Sequence, residues 1–346
     1  MVAGDEALRL RESTWDAGDT RPLLGSLGED RLLLRLIALA GAGMGLEVGP
    51  GDDAASWHPR GPRVLISTDT LVEGVHFERR RESPYQVGAK AWGAAASDLA
   101  AMGSGVELGV VAAVLPAETS VEAVEAIQLG LVEAAAANQA VIAGGDLSSG
   151  SGPLVLNVTV LGSISEGTPV LMSGARAGDL LVLTGEVGGA AGCLELIARG
   201  EERVPLRWRS RLVAPQARVA EGRELRVAGA SAMTDLSDGL LLDASRMAAA
   251  SRTRAELWAD RIPLISDLEG SFGRDAVRLG TTGGEDYELL AGVPEPLVGE
   301  LLRAWPARLQ PLTLVGRMTE GTGVVLLERQ GGPELSLGGA LGYRHY

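Results

Sequence analysis

Apolar residues recur along this chain with two periods, and the switches between them outline its elements. A spacing near 3.6 marks helices, and short apolar runs bounded by turn residues mark strands. EDRLLLRLIALAG (29–41) reads as a short amphipathic helix ending at Gly41. RVLISTDT (63–70) is a strand running into a loop, and SPYQVGAKAWGAAASDLAAMG (83–103) is a helix with Ser83 as N-cap and Pro84 in its first turn. VELGVVAAVLP (106–116) is a strand broken by Pro116, and SVEAVEAIQLGLVEAAAANQ (120–139) is a helix capped by Ser120. AVIAGGDLSSG (140–150) reads as a strand entering a glycine loop, and PLVLNVTVLGSI (153–164) as a further strand.

This β-α-β-α-β-β order fits an α+β first domain. A turn-rich stretch follows (165–179), and then the pattern restarts. DLLVLTGEVGGAAGCLELIARG (179–200) is strand, glycine loop and helix; 207–229 is mostly helical and rich in arginine. ASAMTDLSDGLLLDASRMAAAS (230–251) is a strand turning into a helix, and RAELWAD (254–260) and TTGGEDYELLAGV (281–293) supply strands. VPEPLVGELLRAW (293–305) is a helix, and LTLVGRMTEGTGVVLLER (312–329) closes with two strands. The expected fold class is therefore α/β in the broad sense (α+β), with two domains at 27–166 and 167–346. Residues 1–26 are polar and aperiodic, and read as a flexible extension.

Composition narrows this picture. At 346 residues the chain is comfortable as two domains. It is 46% hydrophobic but only 3% aromatic, so its core is aliphatic, as in folds with parallel or mixed sheets. A net charge of -14 argues against a broad nucleic-acid surface, though not against a nucleotide substrate, because bound cations invert the local field. No apolar run is long enough to span a membrane and no signal peptide opens the chain, which predicts a cytoplasmic protein with no membrane partner. The single cysteine, Cys193, excludes an intrachain disulfide and a multi-cysteine metal site. Among 31 basic residues Lys90 is the one lysine; either arginine bias alone explains the rarity, or this compact ammonium serves as a phosphate ligand.

The chemistry lies in the carboxylates. Seven aspartates fall in five short segments beside small residues: Asp52 and Asp53 in GDDAA, Asp69 in STDT, Asp98 in SDLAAMG, Asp146 in GGDLSSG, and Asp235 and Asp238 in TDLSDGL. Carboxylates at strand ends suit Mg²⁺, which takes oxygen ligands and is shared with substrate phosphates. Ser67 and Thr68 add hydroxyl oxygens beside Asp69, and Gly144 and Gly145 let the backbone approach a phosphate or metal closely. Each segment also has a plainer reading. Gly-Asp-Asp is a common solvated turn, an exposed side chain accounts for Asp98, and Ser237 or Asp238 can cap a helix. GGEDYELL places Glu285, Asp286 and Glu288 around Tyr287, again either a site or a solvated turn. His76 lies just after the Asp69 strand end. No P-loop, no G-x-G-x-x-G opening a helix and no protein-kinase signature occurs. The loop GEVGGAAG (185–192) either offers amides to an anion or serves tight packing.

Together GDDAA, STDTLVEGVHF, KAWGAAASDLAAMGS, GGD, TDLSDGL and GGEDYELL resemble the thiamine-monophosphate kinase family, in that family's order and over residues 28 to about 290, and the closing GYRHY resembles its C-terminus. The family sits in a superfamily with aminoimidazole ribonucleotide synthetase, selenophosphate synthetase and a hydrogenase-maturation protein, all of which use ATP without a P-loop. The resemblance implies a first domain that pairs with a second copy into a barrel-like homodimer core, an α/β second domain, and an active site in the cleft between domains. It implies transfer of phosphate from ATP to thiamine phosphate, the last step of thiamine diphosphate biosynthesis, with several Mg²⁺ ions.

Carried over residue by residue, the resemblance makes Asp52, Asp53, Ser67, Thr68, Asp69, Asp98, Asp146, Asp235 and Asp238 the metal set. Lys90, Gly145, Asp146, Ser237 and Asp238 fall to the nucleotide, and His76, Glu285 and Tyr287 to thiamine phosphate; Asp53, Asp235 and Asp238 are the catalytic candidates. The chain departs from the family pattern at Leu147, Ser148 and Ser149 after GGD, and at Ala95, where an asparagine is usual. Two alternatives stand beside this reading: another ATP-using enzyme of the superfamily, and a non-catalytic Mg–nucleotide-binding regulator.

Overall fold

In the computed structural model, which describes residues 4–15, 22–41, 45–201 and 203–345, the chain packs as two units. One comprises Met1–Leu99 and Gly105–Gly167, the other Ala100–Ser104 and Thr168–Tyr346. The first part of the chain holds, in order, α1 (Gly4–Arg11), α2 (Leu24–Leu27), α3 (Glu29–Ala40), β1 (Leu46–Val48), β2 (Ser56–Trp57), β3 (Arg63–Val72), α4 (Pro84–Ala101), β4 (Leu108–Pro116), α5 (Val121–Ala137), β5 (Val141–Gly150) and β6 (Val155–Ile164). Side-chain caps fix where the two long helices begin. Ser83 N–H donates to Gln86 Oε1 (2.9 Å) and Gln86 N–H returns to Ser83 Oγ (3.3 Å), a reciprocal capping box for α4. Ser120 Oγ accepts the Ala123 N–H at 3.1 Å and starts α5.

Four strands form the first sheet in the order β3-β6-β4-β5, with only β4 and β5 parallel. Alternation along the strands sends Leu65, Leu71, Leu156, Val158 and Val160 into the core. Helices α4 and α5 cross at two glycines: a Cβ on Gly88 would stand 2.0 Å from the Ile127 carbonyl oxygen, and one on Gly130 would stand 2.1 Å from that of Tyr85. No other residue lets the two backbones approach so closely. The opposite face of the sheet keeps Val64, Ile66 and Val114 exposed, Ile66 by 67%.

Two expectations change here. Residues 4–11 of the supposed flexible extension form helix α1, held by Leu10, which is 1% exposed and packs with Ala126 and Leu129 of α5. And GGD is no loop: β5 runs through it to Gly150, because a bulge opposite Gly109–Val110 absorbs one residue and lets the pairing with β4 resume at Gly144.

The second unit contains β7 (Leu180–Thr184), α6 (Gly189–Ala198), α7 (Leu206–Val213), α8 (Val219–Val227), β8 (Ala232–Asp235), α9 (Leu240–Ser251), β9 (Arg254–Trp258), α10 (Leu268–Phe272), α11 (Asp275–Thr282), β10 (Leu289–Val293), α12 (Glu295–Ala304), β11 (Leu312–Thr319) and β12 (Gly323–Leu327). Its six-stranded sheet has the order β12-β9-β11-β7-β10-β8 and is mixed, with β12 parallel to β9. Leu181 and Leu183 of β7 pack with Leu240, Ala244 and Met247 of α9. Val182, between them, packs on the other face with Leu225 of α8 and Val298 and Leu301 of α12. The strand expected over 281–293 begins only at Leu289: Thr281 and Thr282 close α11, which leaves GGEDYE outside both elements. Among the described residues no helix is long and apolar enough to cross a membrane.

Candidate functional site

In the first unit, strand alternation divides the acidic and hydroxyl residues of STDT between two faces. Ser67 and Asp69 share the face toward α4, where Ser67 Oγ donates to Asp98 Oδ2 at 2.5 Å. Burial raises the Asp98 carboxyl above its ordinary value; the Ser67 hydrogen bond opposes this and the nearby charge of Asp69 adds to it. Asp98 is thus half-buried rather than solvated, and two carboxylates face each other there. Thr68 lies on the other face and bonds with Asn157 Oδ1 and Thr159 Oγ1, both at 3.0 Å. Asn157 is paired in register with Ala112, and Ala112 with Asp146, so Asp146 shares this second face.

Asp146 also lines a cavity of about 730 Å³ between α3, α5 and the β5 edge. Its walls are mainly aliphatic, with Leu36, Ile37, Val124, Ile127 and Leu131 among them, and the GDD turn brings Asp52 and Asp53 to it as well. Three of the expected metal residues therefore line one apolar chamber. Among the described residues no arginine or lysine pairs with Asp52, Asp53, Asp69, Asp98 or Asp146, and no three His, Cys, Asp or Glu side chains gather tightly enough to hold a metal alone.

His76 sits in a tight turn after β3. Its N–H donates to the Val72 carbonyl (2.9 Å) and its ring Nδ1 accepts the Val72 N–H (3.0 Å), which fixes the plane of the imidazole. Lys90 departs from expectation. It is 1% exposed, its ammonium donates to the His76 carbonyl at 2.8 Å, and Glu82 lies 3.8 Å away. The ammonium holds the His76 turn against α4 instead of standing open to a phosphate.

In the second unit the TDLSDG turn and the GGEDYE segment are stitched together. Glu285 N–H donates to the Ser237 carbonyl (2.8 Å), Tyr287 N–H to Leu236 (2.9 Å), and Leu236 N–H returns to Glu288 (2.9 Å). Glu285 and Tyr287 have φ of 64° and 50°, left-handed conformations that cost about 1–3 kcal/mol each in residues with a side chain. The anchor is Glu288, fully buried and met by Arg218 (2.6 and 2.7 Å), Arg211 (2.7 Å) and Thr184 Oγ (2.7 Å). Gly185 passes directly over this carboxylate, where a Cβ would stand 2.2 Å from Oε1. Asp286 meets the glycine loop: it accepts the Gly188 N–H at 3.0 Å, and burial pushes its carboxyl up to about 8.

Asp235 ends β8 and is buried. Asp238 does not cap α9. Its carboxylate pairs with Arg246, while Asp243 reaches back to the N–H groups of Asp238 (3.0 Å) and Gly239 (3.1 Å). Burial raises the Asp243 carboxyl to about 6. The C-terminal segment arrives here too, with Tyr343 N–H on the Asp238 carbonyl at 2.9 Å. Sequence reasoning passed over Asn157, Arg218, Asp243 and Tyr343; GYRHY was the one available hint of the last.

Residues 51–164 match the family described as AIR synthase related protein, N-terminal domain, and residues 176–328 match its C-terminal domain. Thiamine-monophosphate kinase from Mycobacterium tuberculosis is 36% identical over 312 residues, which cover 89% of this chain and 90% of that protein. The chain belongs to the thiamine-monophosphate kinase family. Among solved members, thiamine-monophosphate kinase from Stenotrophomonas maltophilia K279a superposes with a TM-score of 0.77 at 34% identity, covering 85% of this chain and 95% of that one. AaThiL complexed with AMPPCP and TMP gives 0.72 at 28% identity, covering 95% and 100%. The thiamine-monophosphate kinase fold thus extends over both units described above.

Proposed function

We propose that this chain is an ATP-dependent kinase that phosphorylates thiamine phosphate to thiamine diphosphate, with release of ADP. The aliphatic cavity carrying Asp52, Asp53 and Asp146 is the observation that supports this best. It offers an apolar chamber for a nucleotide base and an acidic, glycine-flanked strand for phosphates held through a hard cation. The kinship with thiamine-monophosphate kinases, one solved with AMPPCP and TMP, supports the choice of both substrates.

The donors are all oxygens, and among the described residues Asp52, Asp53, Asp69, Asp98 and Asp146 pair with no arginine or lysine, which fits Mg²⁺. Asp52, Asp53, Asp146 and Thr68 would hold it on one face of the first sheet, Ser67, Asp69 and Asp98 on the other, and Asp235 and Asp238 in the second unit. Mg²⁺ bound there would screen the charge of two anionic reactants and align the attacking and leaving oxygens. The residues' own work is positioning. Gly145 and Ser237 admit the nucleotide, while His76, Glu285 and Tyr287 orient thiamine phosphate. The acceptor phosphate oxygen is already ionised at neutral pH, so no general base is required, and none is assigned.

A homodimer is part of the proposal. The exposed Val64, Ile66 and Val114 give the first sheet an apolar face for a second copy. We place the protein in the cytoplasm. Incubation with Mg–ATP and thiamine phosphate tests the central reading by assay of thiamine diphosphate and ADP. Turnover of another acceptor and none of thiamine phosphate would overturn it.

A further inference from the structure

We propose that the N-terminal segment acts as a strap which, through Trp15, positions the substrate-side turn 73–82. This rests on the reading that His76 meets thiamine phosphate. The turn is an irregular excursion between β3 and α4, and ordering such backbone costs about 1–2 kcal/mol per residue. Part of that order is internal: Gly74 N–H donates to the Phe77 carbonyl (2.8 Å), and Glu78 N–H to Glu82 Oε2 (3.0 Å). The rest comes from outside the turn.

Trp15 touches three of its residues at once. Its indole N–H donates to the Glu82 carbonyl at 2.7 Å. Its ring stacks on Phe77, with centroids 6.1 Å apart and planes 14° from parallel. The Arg79 guanidinium lies 4.8 Å from the ring centroid, and is itself fixed by Glu73 at 2.7 and 3.0 Å. Phe77 follows His76 directly, so the ring that Trp15 covers belongs to the neighbour of the substrate-facing imidazole.

The strap has its own anchor. Leu10 is buried against α5, and Arg11 makes two hydrogen bonds to Glu133 (2.6 and 3.1 Å), which also accepts from Tyr85 Oη (2.7 Å). Residues 4–15 lie outside the span matched to the family, which starts at 51. The strap is docked on the turn that carries the proposed substrate contact. Preordering that turn lowers the entropy lost when thiamine phosphate binds and leaves the nucleotide cavity untouched.

The experiment compares steady-state kinetics of the wild type with Trp15→Ala and Trp15→Phe. Trp15→Ala is expected to raise KM for thiamine phosphate about 3- to 10-fold, the scale of one or two mobile side chains. KM for ATP and kcat should stay within about twofold, and Trp15→Phe, which keeps the ring stack, should recover most of the loss. An unchanged KM for thiamine phosphate, or a KM for ATP that rises in step, overturns the proposal. If the wild type uses another acceptor and not thiamine phosphate, the proposed function fails, and the strap is judged by amide exchange instead. Faster exchange at Gly74, His76 and Glu78 in Trp15→Ala supports it, and unchanged exchange overturns it.

Discussion

Glu288 in the second unit and Asp98 in the first are both carboxylates withdrawn from water, and the protein treats them in opposite ways. Glu288 is enclosed by Arg218, Arg211 and Thr184, so its charge is answered from within. Asp98 has a serine hydroxyl for a partner and Asp69 for a neighbour, and its carboxyl is raised by burial with that second charge adding to it. Asp52, Asp53 and Asp146 at the cavity are exposed, and like Asp98 they pair with no arginine or lysine among the described residues. A compensated acid holds backbone in place, and here it clamps the left-handed Glu285 and Tyr287. An uncompensated one stores repulsion that a cation relieves. Acidity alone does not separate Asp98 from Glu288; the counter-charge does.

The largest expected break in this comparison is Glu288→Ala. It leaves Arg218 buried without its partner, and breaking such a pair costs about 3–5 kcal/mol. Denaturant unfolding should report this loss, and the variant should lose grip on the GGEDYE segment as well. A stability within about 1 kcal/mol of wild type would mean that the arginines find water or other partners, and that Glu288 is no anchor.

Asp53→Asn should do the reverse. Removing one preorganised electrostatic group lowers kcat on the order of 100-fold, while the melting temperature should hold, because Asp53 is exposed and pairs with no arginine or lysine among the described residues. Mg²⁺ should raise the melting temperature of the wild type more than that of the variant, since a ligand stabilises only the state that binds it. Equal loss of activity and stability would move Asp53 into the architectural class.

How much of this was legible follows from the range of each interaction. Ser120, and Ser83 with Gln86, announce their helices because capping acts over three residues, and Gly41 stops α3 in the same local way. Asp52, Asp53, Asp69, Asp98 and Asp146 were readable as candidates from their residue type and small neighbours. Their division between two sheet faces was not, since it depends on the register of β3, β6, β4 and β5. The bulge that draws GGD into β5 needs its partner strand to be seen. Helix α1 was missed because eight residues with one buried leucine show no period. Arg218 answers Glu288 across seventy residues of chain, and Lys90 turns to the His76 carbonyl; no spacing rule reaches either.

A further test concerns Asp286, which lies between the two manners. It accepts the Gly188 N–H, faces Glu288 and Arg211, and is raised by burial from 3.8 to about 8. Between those two pH values the folded protein holds a proton that the unfolded chain has released. The stabilisation this gives is complete below about pH 4, is lost as pH climbs toward about 8, and changes no further above that. Asp286→Asn keeps an oxygen for the Gly188 N–H and has no proton to lose. The melting temperature of the variant relative to wild type should therefore rise from about pH 4 to about pH 8 and then level off. A difference that stays flat across the range would show Asp286 to be ionised at neutral pH, with Arg211 as its counter-charge, and would move it into the compensated class with Glu288.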